Sequence, residues 1–172
     1  MEADAAADMC DVMSWVLGAL AEAPCVVLAA VEGPALGGGA ELLTACDHIY
    51  AGPKAQIGFV HARLGVSPGW GGGARLLRRV GRRRTLWWLT ESRAVGAQDA
   101  VQHGMFDEVV PEGAALKLAR SHAARLASLP REAVRAAVTL AHGNIEQERD
   151  LFLSLWGGPA HRVALDRSRV GR

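Results

Sequence analysis

Apolar residues recur at Met9, Val12, Met13, Val16, Leu17 and Leu20, a spacing that puts them on one face of an amphipathic helix. Pro24 ends that pattern, and the continuous apolar run Cys25-Val-Val-Leu-Ala-Ala-Val31 reads as a buried strand. The run passes through Glu32-Gly-Pro-Ala35 into Leu36-Gly-Gly-Gly-Ala-Glu-Leu-Leu43, where a turn without β-carbons opens a helix. Residues 49–51 and 107–110 read as short strands, and 56–60 as an extended piece entering a loop. Residues 74–80 and 82–91 form two helical patterns broken at Gly81, and 97–103 a third stopped by Gly104. From Gly113 the pattern is helical almost to the end, with breaks at Pro130, at Gly143 and at Trp156-Gly-Gly-Pro159. Strands alternating with helices and followed by a helical tail predict a layered α/β body over residues 1–111 and a helical region over 112–172.

Composition narrows the classes open to such a chain. With 172 residues, half of them apolar, it is long enough to bury a real core. A formal net charge of +1 gives no reason to expect a nucleic-acid partner. The longest apolar stretch, 24–46, is interrupted by Glu32, Pro34, the glycines and Glu41, so no membrane-spanning helix is predicted. Met1-Glu-Ala-Asp4 is acidic where a secretory leader is basic, which points to the cytosol. Cys10, Cys25 and Cys46 are odd in number and lack metal-ligand spacing, so they are expected to be buried, reduced thiols, with no metal site.

The candidate chemistry starts at Leu36, Gly37 and Gly38. Main-chain N–H groups in the first turn of a helix have no internal acceptor, and glycine lets a ligand oxygen approach them, so this segment resembles half of an oxyanion hole. A tight packing turn demands the same glycines. Glu41 lies one turn into the helix, where a capping role is the plain alternative to a catalytic one. His61 lies in a loop before the second glycine-rich segment, Pro68-Gly-Trp-Gly-Gly-Gly73. Neither segment forms the G-x-G-x-x-G or Gly-Lys-Ser/Thr pattern of a nucleotide-phosphate loop. Arg75, Arg78, Arg79, Arg82, Arg83 and Arg84 form a dense basic cluster, expected to be a solvated helix face.

The ordered series Gly33-Pro-Ala-Leu-Gly-Gly-Gly-Ala-Glu41-Leu, Cys46-Asp47, Lys54-Ala-Gln56, Leu64-Gly65, Pro68-Gly-Trp-Gly-Gly72, Arg75-Leu76 and 97–104 before Glu108-Val-Val110 resembles the crotonase (enoyl-CoA hydratase/isomerase) superfamily over nearly the whole chain. The resemblance implies a crotonase-like layered β-β-α core with a C-terminal helical subdomain, an acyl-CoA thioester as ligand, and a homotrimer or dimer of trimers. Phe59-Val-His61, Trp70-Gly-Gly72, Glu148-Arg-Asp-Leu151 and Trp156-Gly-Gly-Pro-Ala160 resemble its decarboxylating branch. In the hydratases the position of His61 is usually a second glutamate, so two-carboxylate addition of water is disfavoured.

The resemblance thus implies loss of CO2 from ethylmalonyl-CoA or methylmalonyl-CoA, a metabolite-proofreading role in fatty acid metabolism. The backbone N–H of Gly38 is the expected oxyanion donor, Glu41 and His61 are the expected catalytic side chains, and Leu36, Gly37, Phe59 and Trp70 are expected to line the substrate. No metal or organic cofactor is implied. Against the family pattern, Met1 falls in mid-domain, and the strand-rich segment supplying the second oxyanion N–H and a grip on adenine is missing from this sequence. An N-terminally truncated, catalytically impaired chain acting only as an assembly partner is therefore the alternative expectation, with hydratase or isomerase activity the weaker one.

Overall fold

A computed structural model describes residues 3–170. The chain divides into two compact units, Met1–His122 and Ala123–Arg172. Helix α1 (Ala3–Ala21) opens the first unit. Leu17 is buried and Met13 and Leu20 half-buried, whereas Met9, Val12 and Val16 of the predicted apolar face are exposed, as is Trp15. The helix instead turns Cys10 and Ser14 toward the second glycine-rich segment. Ser14 Oγ donates to the Gly69 carbonyl over 3.1 Å, and a β-carbon on Gly69 would stand 3.0 Å from Cys10 Sγ. Small residues on both sides permit that approach, which hydrophobicity alone does not signal.

Two three-stranded sheets follow. Strands β1 (Leu28–Val31), β3 (His48–Ala51) and β6 (Glu108–Val109) make the first, in the order β1-β3-β6 and parallel throughout. Strands β2 (Pro34–Leu36), β4 (Gln56–Gly58) and β5 (Ala94–Gly96) make the second, with β2 parallel and β5 antiparallel to β4. The expected buried strand over 25–31 is shorter and only half-buried, because among the described residues β1 is an edge of its sheet, and Cys25 lies exposed ahead of it. Pairing of Leu36 with Gly58 is extended by a bond from the Gly37 N–H to the Gly58 carbonyl, 2.8 Å. That register sets the glycine turn beside the chain that continues into residue 61.

Helix α2 (Gly38–Leu43) leads to β3, and α3 (Gly72–Glu91) and α4 (Ala97–Gln102) flank β5. Ile49, Ile57, Phe59, Leu76, Trp88, Met105 and Phe106 fill the core between these elements. Asp107 ties the sheet to α3, accepting from the Ile49 N–H at 2.7 Å and from Arg79 Nη2 at 3.0 Å. Glu32, at the end of β1, accepts from the N–H groups of Gly113 and Ala115 where α5 (Ala115–Ala127) begins, a carboxylate on a helix start. In the second unit α6 (Arg131–Ala141), α7 (Glu148–Leu155) and α8 (Pro159–Val170) are separated at Gly143 and Gly157, both at positive φ, as the sequence predicts. Among the described residues no helix is long and apolar enough to cross a membrane.

Two outcomes test this packing. Ile57 is fully buried, so Ile57→Ala should lower stability by about 2–5 kcal/mol, read from the denaturant midpoint. Burial pushes the Cys46 thiol up, more strongly than neighbouring Arg79 pulls it down, so iodoacetamide at neutral pH should alkylate exposed Cys25 well before Cys46. Equal rates at the two cysteines in the folded chain would contradict the placement of Cys46.

Candidate active site

Gly37 precedes α2 at φ 55° and ψ −119°, a conformation that side-chain-bearing residues rarely adopt. Its own N–H is taken up by Gly58, so the first amide of the turn open to a ligand is that of Gly38, whose position at the helix start leaves it without an intrahelical acceptor. The Trp70 indole lies directly against Gly38. A β-carbon there would stand 2.0 Å from Trp70 Cζ3 and 2.3 Å from Cη2, so residue 38 must be glycine for this contact to exist.

Glu41 is 1% exposed and joins the two glycine-rich segments. Its Oε2 accepts from the N–H groups of Trp70 and Gly72, both at 2.9 Å, and its Oε1 from the Gly69 N–H at 3.3 Å. His61 Nε2 stands 3.2 Å from the same Oε1. Backbone N–H groups thus donate to both oxygens, and the imidazole completes the set around Oε1. Gly72 admits this packing because any β-carbon would meet Glu41 Oε2 at 2.7 Å.

His61 sits in a 3-10 turn, Val60–Leu64, with its side chain 12% exposed. With Nε2 directed at Glu41, Nδ1 is buried without a hydrogen-bond partner among the described residues. The turn is held from behind by Ser92, which is buried and closes α3 at φ 51°. Ser92 Oγ donates to the Phe59 carbonyl and accepts from the Arg63 N–H, both at 3.3 Å, gripping the chain on either side of His61. Arg75 holds the opposite wall. Its Nε donates to Thr44 Oγ1 at 3.0 Å and its Nη2 to the Trp70 carbonyl at 2.8 Å. Burial lowers the Arg75 pKa, and the Glu41 charge opposes that shift.

The structure therefore brings Gly38, Glu41, His61 and Trp70 together. Leu36 is half-exposed on β2 and overhangs Gly58, where an added β-carbon would meet Leu36 Cδ2 at 2.8 Å. Phe59 is 1% exposed and belongs to the core, its ring 6.3 Å from that of His61. Gly37 serves through its conformation, its amide being occupied. Arg75 and Arg79 are also not a solvated face, since one is buried and the other bonds to Asp107 and the carbonyls of Cys46 and Gly104. A separate cleft of about 670 Å³ lies in the second unit, lined by Phe152, Leu155, Trp156 and His161, and shares no residue with this constellation.

Residues 5–151 match the family model described as Enoyl-CoA hydratase/isomerase, and the chain belongs to that family, the crotonases. Among curated proteins it is 39% identical over 169 residues to ethylmalonyl-CoA decarboxylase of Danio rerio, covering 91% of this chain and 56% of that protein. It is 36% identical over 171 residues to the protein of the same name from Gallus gallus, covering 93% and 57%. The chain thus spans little more than half the length of these relatives. The crystal structure of an enoyl-CoA hydratase from Bacillus anthracis superposes with a TM-score of 0.93 at 27% identity, covering 100% of this chain and 70% of that one. Pseudomonas aeruginosa DspI gives a TM-score of 0.93 at 28% identity, over 100% and 69%. The architecture is the crotonase fold.

Glu41→Gln tests the donor arrangement. Whichever way the amide is turned, its NH2 faces N–H donors, so the variant should lose about 1–3 kcal/mol in chemical denaturation. An unchanged midpoint would mean that the four contacts do not hold in solution.

Proposed function

We propose that the chain carries the site of an acyl-CoA decarboxylase that removes CO2 from a short branched malonyl-CoA thioester, ethylmalonyl-CoA or methylmalonyl-CoA. The observation that carries this reading is the pairing of Glu41 with a histidine, 3.2 Å away and beside the open Gly38 amide, where hydration would call for a second carboxylate. The 33–39% identity to proteins named ethylmalonyl-CoA decarboxylase supports it. In the reaction, the bond between Cα and the carboxylate carbon breaks, CO2 leaves, and its electron pair forms an enolate with charge on the thioester oxygen. The Gly38 N–H stabilises that oxygen more than the ground-state carbonyl, which lowers the barrier. His61 then supplies the proton that Cα takes up, giving the shortened acyl-CoA. Glu41 orients His61 and fixes the turn bearing Trp70, whose indole shields the amide. No metal or organic cofactor takes part. The working form is a cytosolic homotrimer or dimer of trimers.

The decisive measurement is butyryl-CoA formation from ethylmalonyl-CoA. Because proline at residue 38 would strike Trp70, the comparison is Trp70→Ala against Trp70→Ala/Gly38→Pro. Losing the amide should cost about 10²–10³ in rate. Equal turnover in the two, no turnover by the unaltered chain, or faster hydration of crotonyl-CoA than decarboxylation would overturn the assignment.

A further inference from the structure

Helix α3 meets the site at its two ends, through Gly72 and Arg75 at its start and Ser92 at its close. Gly81, at φ 74° and ψ 164°, interrupts the helix, and residues 82–91 continue beyond the break. Just past it a surface cleft of about 340 Å³ is lined by Val80, Arg83, Arg84 and His103. Three of the four lining side chains carry or can carry positive charge. None of the three forms an ion pair among the described residues, whereas Arg79, one turn earlier, is bonded to Asp107. Convergent unpaired cations repel one another, and they are held together here by packing. The Arg84 guanidinium lies 5.3 Å over the Trp87 ring, and the His103 ring stands edge-on to Trp88 at 6.3 Å. Arg93 lies 4.7 Å over the same Trp87 ring and adds a further positive charge nearby.

We infer that this cleft is a binding site for a phosphomonoester dianion. Two guanidinium forks and an imidazole supply more donors than a carboxylate can use, and they match the three terminal oxygens of a phosphoryl group. Val80 supplies an apolar wall for the organic part of the ligand. The inference does not depend on the proposed decarboxylation, because no lining residue belongs to the Glu41 constellation. The phosphate could belong to a coenzyme A thioester or to a separate metabolite, and the chemistry of capture is the same.

The test is calorimetric titration of the full chain with 3′-AMP, with adenosine, and with coenzyme A against dephospho-coenzyme A. 3′-AMP should bind, adenosine should not, and Arg83→Gln/Arg84→Gln should weaken 3′-AMP at least about tenfold. Arg78→Gln/Arg82→Gln removes the same charge from α3 outside the cleft and should leave the affinity within about twofold. The variants are compared only after circular dichroism shows the same helix content, and Arg83→Lys/Arg84→Lys should restore part of the affinity. Coenzyme A losing affinity in the glutamine variant while dephospho-coenzyme A does not would assign the phosphate to the coenzyme. Loss confined to 3′-AMP would assign it to another phosphomonoester. Adenosine binding as well as 3′-AMP, or equal loss in the Arg78/Arg82 variant, would overturn the site.

Discussion

The arrangement depends on one buried carboxylate. Glu41 accepts from three main-chain N–H groups of the second glycine-rich segment and faces His61 Nε2, and so joins α2, the start of α3 and the 3-10 turn in one contact set. Buried charge is costly unless every lone pair is met, and here the partners are mostly backbone, which cannot swing away as a side chain can. The charge therefore fixes position. The amide of Gly38, the indole of Trp70 and the imidazole of His61 keep their spacing because each neighbours the same anion or a segment bound to it.

The glycines make this possible in different ways. Gly37 is required by its backbone angles, Gly38 by the indole lying on its α-carbon, and Gly72 by the carboxylate packed against it. Adding a methyl group would strain the backbone at Gly37 and a different contact at each of the other two, so the two glycine-rich segments are one device read from two sides. Trp70 and Gly38 are reciprocal. The indole covers a backbone that only glycine leaves bare.

Much of this was legible in the sequence, and what was not has physical causes. The run of apolar residues into three glycines and a helix start marks the amide, and the glutamate one turn later marks the carboxylate. β2 and β5 were not read, because three-residue strands owe their extension to β4 and carry too few residues to show a period. Ser92 was missed because a left-handed helix end is normally signalled by glycine, whereas here buried bonds to Phe59 and Arg63 hold serine in that conformation. Its signal is the lack of any glycine between α3 and β5 before Gly96 itself. Arg75 was hidden among six arginines. Its place one turn after the Gly72 helix start distinguishes it from exposed Arg78, Arg82 and Arg83. Phe59 shares the Phe59-Val-His61 motif with the histidine, and its buried side chain packs in the core behind that ring.

The histidine at residue 61 bears on which chemistry the frame suits. Adding water to a double bond needs a base for the water and an acid for the adjacent carbon in the same event, and paired carboxylates can share those roles around one water molecule. Breaking a carbon–carboxylate bond makes its own base, the enolate carbon, so it needs a stabilised oxygen first and one proton afterwards. A carboxylate already holding four donors is a poor partner for water. It is well suited to hold an imidazole in place through Nε2, which under the proposed decarboxylation leaves the chemistry to the amide and the histidine.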